Sequence, residues 1–428
     1  MVNSSHPGTL IVGASQAGVQ LASSLRVEGY AHPIRIVGAE LQDPYHRPPL
    51  SKAFLAGEVS VADLMLRNRE FYSENTIDLV LGERVVEIDM NGDGSGSVVT
   101  RLGARYEFEQ LVLSTGARPR RLAIPGADPG TRGVVYLRDV EHALHVREQL
   151  ARAQHVVVIG GGFVGLEAAA TAQAMGKKVT VVEVGRQLMG RALGPHTSAF
   201  LLDAHRTAGI SVLLETVLTE ILVSTSSDVI GVMLGSGQRL PADLVLIGVG
   251  VLPRDELGTA IGLDCDNGIL VDEHCVASDG STIAIGDCAN QPNPMTRPGL
   301  GDRVRLESVD NAVEQATVAA RTIAGKPSSL RGLPWFWSDQ GKYKLQITGL
   351  IEGYDQTVTR TDPARPHRLT SLYFRERTLI AAECVNSPAD FLTLKSALSS
   401  RMELSPDDLS DVDVPIKKLV ASARSTVG

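Results

Sequence analysis

Apolar residues in this chain gather into two short unbroken runs, each followed by glycine and then by a small-residue stretch. Thr9-Leu10-Ile11-Val12 leads into Gly13-Ala14-Ser15-Gln16-Ala17-Gly18, and His155-Val156-Val157-Val158-Ile159 into Gly160-Gly161-Gly162-Phe163-Val164-Gly165. An apolar run bounded by a turn signal predicts a buried strand, and the small residues after it predict a helix packed closely upon it. Pro33-Ile34-Arg35-Ile36-Val37 and Val179-Thr180-Val181-Val182 supply a second strand to each βαβ unit. Further buried strands are expected at Gln110–Leu113, Leu244–Ile247 and Ile283–Ile285. The last of these leads to Asp287 and is expected to continue into a helix. Helical spacing covers Leu306 to Ala324, and Gly325-Lys326-Pro327 reads as a boundary. From Trp335 the pattern becomes one of short strands, Lys344–Ile347 and Arg368–Phe374, followed by a helix from Ala389.

The glycines carry a chemical meaning. A strand, a G-x-G-x-x-G-like turn and a helix together form the context in which a pyrophosphate approaches backbone N–H groups at a helix N-terminus. Each turn also has an acid placed to accept from ribose hydroxyls, Glu40 after the first βαβ unit and Glu183 directly after Val182. Two such units predict two bound dinucleotides, and hence electron transfer between cofactors.

Composition narrows the class. At 428 residues the chain suggests two or three domains, and 43% hydrophobic with 21% charged residues is ordinary for a globular protein. A net charge of −8 argues against a nucleic-acid partner. No apolar run is long enough to span a membrane, and the first strand leaves no room for a signal peptide, so a cytoplasmic location is expected. Cys265, Cys275, Cys288 and Cys384 lie far apart with no C-x-x-C, which excludes a redox dithiol, an iron–sulfur cluster or a zinc site within this chain. The close pair His142 and His145 has no evident third ligand, so no metal site is expected.

The order of these motifs resembles the two-dinucleotide flavoproteins, and within them the NADH-dependent ferredoxin reductases of the putidaredoxin reductase group. The resemblance runs through Arg47-Pro48-Pro49-Leu50-Ser51-Lys52, Ser114-Thr115-Gly116-Ala117-Arg118-Pro119-Arg120, Ala284-Ile285-Gly286-Asp287-Cys288-Ala289, Arg305-Leu306-Glu307-Ser308-Val309 and Pro334-Trp335-Phe336-Trp337-Ser338-Asp339-Gln340. It implies an α/β fold with two Rossmann-like, glutathione-reductase-like dinucleotide-binding domains and a C-terminal α+β domain. The implied division assigns residues 1–117 and 248–326 to FAD, 118–247 to NAD and 327–428 to an interface domain.

The resemblance also implies roles. FAD would be held by Gly13, Ser15, Ala17, Gly18, Glu40, Arg47, Lys52, Val85, Arg138, Asp287, Val309 and Trp337. Ser15 stands where the family often has glycine, and Ala39 where it often has an acid. NADH would be held by Gly160, Gly162, Val164, Gly165, Glu183, Arg191 and Gly250, with the Glu183 carboxylate disfavouring a 2′-phosphate. Lys52 and Glu167 form the implied catalytic pair: the ammonium would lie near the flavin N5 and O4, restrained by the carboxylate. NADH would reduce the flavin, which would pass single electrons to a [2Fe–2S] ferredoxin serving a cytochrome P450 or a Rieske oxygenase. Such ferredoxins are acidic, so Arg67, Arg303, Arg305, Arg321 and bases of the C-terminal domain are candidate docking residues. Disulfide reductase, peroxidase and oxidase relatives need cysteine in or near residues 40–60, and none is there. Rubredoxin reductase remains the nearest alternative, followed by a flavin monooxygenase and by an apoptosis-inducing-factor-like redox switch.

Overall fold

The computed structural model describes residues 7–128, 130–295 and 301–427. The chain divides into two compact units, one of residues 1–46, 61–118 and 252–334, the other of residues 47–60, 119–251 and 335–428.

The first unit is built on a five-stranded parallel sheet in the order Ile283–Ala284, Gln110–Leu113, Thr9–Val12, Ile34–Val37, Ile77–Val80. Leu10, Ile11 and Val12 are buried on both faces, as a central parallel strand requires. The Gln16–Val27 helix packs on the Val309–Ile323 helix through Ala17, Leu21 and Leu25 against Ala312, Ala316 and Ala320, small residues that let the two axes approach. Ser308 caps the second helix by accepting from the Asn311 N–H at 3.1 Å, so it begins at Val309 rather than at Leu306. No helix follows Asp287 directly. Gly286–Cys288 make a single 3₁₀ turn, and Ala289–Pro292 then pairs with Ile269–Leu270 and Arg303–Val304. Pro292 and Pro294 deny that stretch helical N–H donors.

The second unit contains a parallel sheet in the order Ser211–Leu213, Lys178–Val182, His155–Ile159, Leu244–Ile247, Val134–Tyr136. It also contains an antiparallel sheet in the order Trp335–Gln340, Tyr343–Gly349, Thr378–Val385, Leu369–Arg375, Gln356–Thr361. One apolar core joins them: Val156, Val158, Leu166 and Leu201 share it with Leu345, Ile347 and Val385, and Leu55 of the proline-rich segment also enters it.

Within that junction lies a buried acid. Glu383, on the Thr378–Val385 strand, is 0% exposed; Oε1 accepts the Gly194 N–H at 2.9 Å and Oε2 accepts the Tyr373 hydroxyl at 2.7 Å. Gly194 precedes the Pro195–Thr207 helix, and a Cβ there would meet the Tyr373 hydroxyl at 2.2 Å. Burial pushes the Glu383 pKa from 4.5 up to about 7, although these donors pull it down. A folded-state pKa raised in this way favours folding below pH 4.5, and the benefit fades as pH rises through 7. Glu383→Gln removes the titration, so its stability relative to wild type should improve between pH 5 and pH 8 by up to about 3 kcal/mol. Denaturant unfolding of both proteins across that range measures it; a pH-independent gap would show that Glu383 does not titrate there.

Candidate functional site

In the first unit the glycine turn is held by contacts that exclude larger residues. Gly13 has φ +123 and donates to Val37 O at 2.8 Å; a Cβ there would lie 2.2 Å from Ser114 O. Ser114 Oγ donates to Gly13 O at 3.0 Å, and a Cβ on Gly18 would lie 2.2 Å from that same Gly13 oxygen. Ser15 is the extended N-cap of the Gln16–Val27 helix, whose first turn carries no acid. The turn therefore presents a helix N-terminus in a bare backbone cradle, which fits a pyrophosphate. The Asp287 turn is brought beside it: Gly286 has φ +77, and its Cβ position lies 3.1 Å from Ala17 Cβ. Gln315, a buried residue that sequence reasoning passed over, holds that turn by accepting the Gly286 N–H at 2.6 Å.

Glu40 accepts the Tyr45 hydroxyl at 2.5 Å, so Tyr45 orients the acid expected to face a ribose. The signal was a tyrosine five residues beyond the acid, too ordinary a spacing to read alone. Val85 is buried in one core cluster with Val12 and Val37, and Val309 opens its helix.

The second unit repeats the turn. Gly160 has φ +100 and donates to Val182 O at 2.9 Å, with its Cβ position 2.5 Å from Gly248 O. A Cβ on Gly165 would stand 2.8 Å from Gly160 O. Gly162, by contrast, has only Gly248 O near its Cβ position, at 3.9 Å, and Val164 is 46% exposed, so this edge is open to a ligand. Glu183 does more than face outward: Oε2 accepts the Gly161 N–H at 2.5 Å and Oε1 the Gly185 N–H at 2.6 Å. The Met189 N–H donates to Gly161 O at 2.8 Å, tying the loop that carries Arg191 to the turn. Arg191 Nη2 lies 3.2 Å from the Cβ position of Gly250. Arg186 instead meets Glu215 at 3.3 Å.

In the same unit the 3₁₀ turn Pro48–Ser51 carries Lys52 to Glu167. Their Nζ and Oε2 atoms are 3.0 Å apart, with side chains 19% and 6% exposed. Ser51 Oγ donates to Glu167 Oε2 at 2.5 Å and Ser338 Oγ to Oε1 at 2.6 Å. Neither serine was singled out from the sequence. Arg47 Nη1 donates to the Arg138 carbonyl at 3.0 Å. Trp337 stacks on Trp335 with centroids 5.5 Å apart.

All four cysteines are free, and burial pushes the thiols of Cys275, Cys288 and Cys384 up, so none of these three is a ready thiolate. Among the described residues no His/Cys/Asp/Glu group suits a metal, and no helix is long and apolar enough to cross a membrane. The candidate docking arginines differ in their surroundings. Arg305, its side chain 7% exposed, pairs with Glu307 at 2.6 Å and donates to Asp287 O. Arg303 donates to the Val271 and Asn290 carbonyls, and Arg321 pairs with Glu28 at 3.0 Å. Arg305 is thus withdrawn from solvent, while Arg303, Arg321 and Arg67 remain exposed, Arg67 beside Phe71.

Comparison with known proteins matches residues 8–316 to the pyridine nucleotide-disulphide oxidoreductase family and residues 335–420 to the reductase C-terminal domain. The chain belongs to that oxidoreductase family, among the putidaredoxin reductase-like flavoproteins. Putidaredoxin reductase CamA of Pseudomonas putida is 39% identical over 419 residues, 97% of each chain. Rubredoxin-NAD(+) reductase of the same species is 38% identical over 89% of this chain and 96% of its own. A chain of the covalent putidaredoxin reductase–putidaredoxin complex superimposes with a TM-score of 0.92 at 37% identity, over 99% of this chain and 100% of that chain. The family uses FAD with a nicotinamide dinucleotide, and the two bare glycine cradles fit that pair.

Gly18→Ala tests the first cradle. Its methyl group would press on backbone at Gly13, so the turn must shift, at a cost of about 1–3 kcal/mol. The variant should retain less FAD than wild type on purification; full occupancy would show that the turn yields freely.

Proposed function

We infer that this chain is an NADH-dependent ferredoxin reductase that transfers electrons through FAD to a [2Fe–2S] ferredoxin serving a cytochrome P450 or another oxygenase. The observation that carries this reading is the pairing of two glycine cradles with a Lys52–Glu167 ion pair in a chain without a redox dithiol. Residues 1–117 with 248–326 are assigned to FAD, 118–247 to NADH and 327–428 to the interface domain. A cytoplasmic location is proposed on the strength of four unpaired cysteines.

Bound FAD supplies the exchange between the electron pair of NADH and the single electrons an iron–sulfur protein accepts. The chain contributes binding and electrostatics. Backbone N–H groups at the Gly13–Gly18 and Gly160–Gly165 turns receive the two pyrophosphates, and Glu40 and Glu183 accept from ribose hydroxyls. Lys52 supplies a fixed cation that favours negative charge on the reduced ring, and Glu167 holds its ammonium in place. Buried, protonated thiols leave no competing dithiol route.

The purified protein should be yellow, hold one FAD and no iron, and reduce cytochrome c from NADH only when a ferredoxin is supplied. A panel of [2Fe–2S] ferredoxins and a rubredoxin tests this; turnover with the rubredoxin alone would move the assignment to rubredoxin reductase. For the second cradle, Glu183→Ala should raise the NADH KM about tenfold and narrow the preference over NADPH. Steady-state kinetics with both cofactors measures it, and a wild type equally fast with NADPH would contradict the role of Glu183.

A further inference from the structure

A buried carboxylate must satisfy its lone pairs within the protein, and Glu167 does so with donors from separate parts of the second unit. Beside Ser51 and Lys52, its Oε1 accepts from Ser338 Oγ at 2.6 Å and from the Asp339 N–H at 3.3 Å. Ser338 is 0% exposed and in turn accepts from Gln340 Nε2 at 2.8 Å. Gln340 Nε2 also donates to the Phe163 carbonyl at 3.3 Å, which fixes the amide with its oxygen towards His205. His205 Nε2 lies 3.0 Å from that oxygen, so Nε2 carries the hydrogen. Burial pushes the His205 pKa below the usual value, which keeps the ring neutral. Each donor therefore points the same way, from His205 through Gln340 and Ser338 to the carboxylate.

We propose that Ser338, Gln340 and His205 are positioning residues for the reductase reaction: this buried chain of hydrogen bonds fixes the Glu167 carboxylate and through it the Lys52 ammonium. The inference rests on the electrostatic role given to Lys52 above. It makes the Trp335–Gln340 strand and the Pro195–Thr207 helix part of what sets the rate of flavin reduction, although none of the three residues is a catalytic residue.

The test uses the FAD-loaded full chain and four proteins: Ser338→Ala, Gln340→Met, Lys52→Ala, and Ser338→Ala combined with Lys52→Ala. Stopped-flow bleaching at saturating NADH gives the limiting rate, its concentration dependence gives NADH binding, and dye equilibration gives the flavin midpoint potential. Ser338→Ala should lower the limiting rate about tenfold and Gln340→Met about threefold, with NADH binding within about twofold of wild type. The Ser338→Ala midpoint potential should become more negative. In the Lys52→Ala background the serine change should have little further effect on rate or potential, because a positioning residue acts only through the lysine. Wild-type rates and potentials in both single variants, with Lys52→Ala slow, overturn the proposal, as does a full tenfold loss added to that of Lys52→Ala. If Lys52→Ala itself bleaches at the wild-type rate, the role of the lysine falls and this inference with it. Should Ser338→Ala fail to hold FAD, Gln340→Met decides alone.

Discussion

At both dinucleotide turns the helix starts so close to its strand that no side chain fits between them. A Cβ at Gly18 would meet Gly13 O at 2.2 Å, and one at Gly165 would meet Gly160 O at 2.8 Å. This steric constraint exposes backbone N–H groups at each helix start and seats each helix on its sheet. The rest of each unit is arranged around it. Ser114 braces Gly13, Gln315 draws the Asp287 turn against Ala17, and Met189 draws its loop against Gly161. Helix packing in the first unit uses alanines for the same reason, since Ala312, Ala316 and Ala320 allow close approach.

A second constraint is the cost of burying charge. Glu167 and Glu383 are both buried in the second unit, and both are satisfied by donors distant in sequence. Their environments differ. Both accept from hydroxyls, but Glu167 has a lysine partner, whereas Glu383, with Thr197, Tyr373 and the Gly194 N–H, has no cation partner among the described residues, and burial raises its pKa to about 7. The ion-paired acid belongs to the proposed chemistry; the lone acid belongs to the junction between the nucleotide sheet and the C-terminal sheet.

Charge on the surface follows a simpler rule. Of the arginines that read in the sequence as a docking face, Arg305 is withdrawn from solvent beside Glu307, while Arg303 and Arg321 stay exposed although each also holds a neighbouring carbonyl or acid. A guanidinium has five donors in a rigid fork, so it readily closes a loop onto its carbonyls. Net composition therefore says little about which basic residues meet an acidic partner.

Local pattern determined the two turns, their strands, the acids that follow them and the absence of a dithiol, because each depends on residues adjacent in the chain. Gly13, Gly18, Gly160 and Gly165 were legible since a glycine turn between an apolar strand and a helix has few other uses. The sequence of relatives' motifs also named Lys52 and Glu167, residues more than a hundred positions apart, but by resemblance and not by geometry. Tertiary structure alone decided what surrounds them. Ser51, Ser338, Gln340 and His205 look like ordinary polar residues until folding removes water and leaves one another as their partners. It also decided that Asp287 sits in a 3₁₀ turn before a strand and that Glu183 braces its own glycine turn. Hydrogen-bond partners of buried groups are set by which segments meet in three dimensions, and periodicity along one segment carries no record of that meeting.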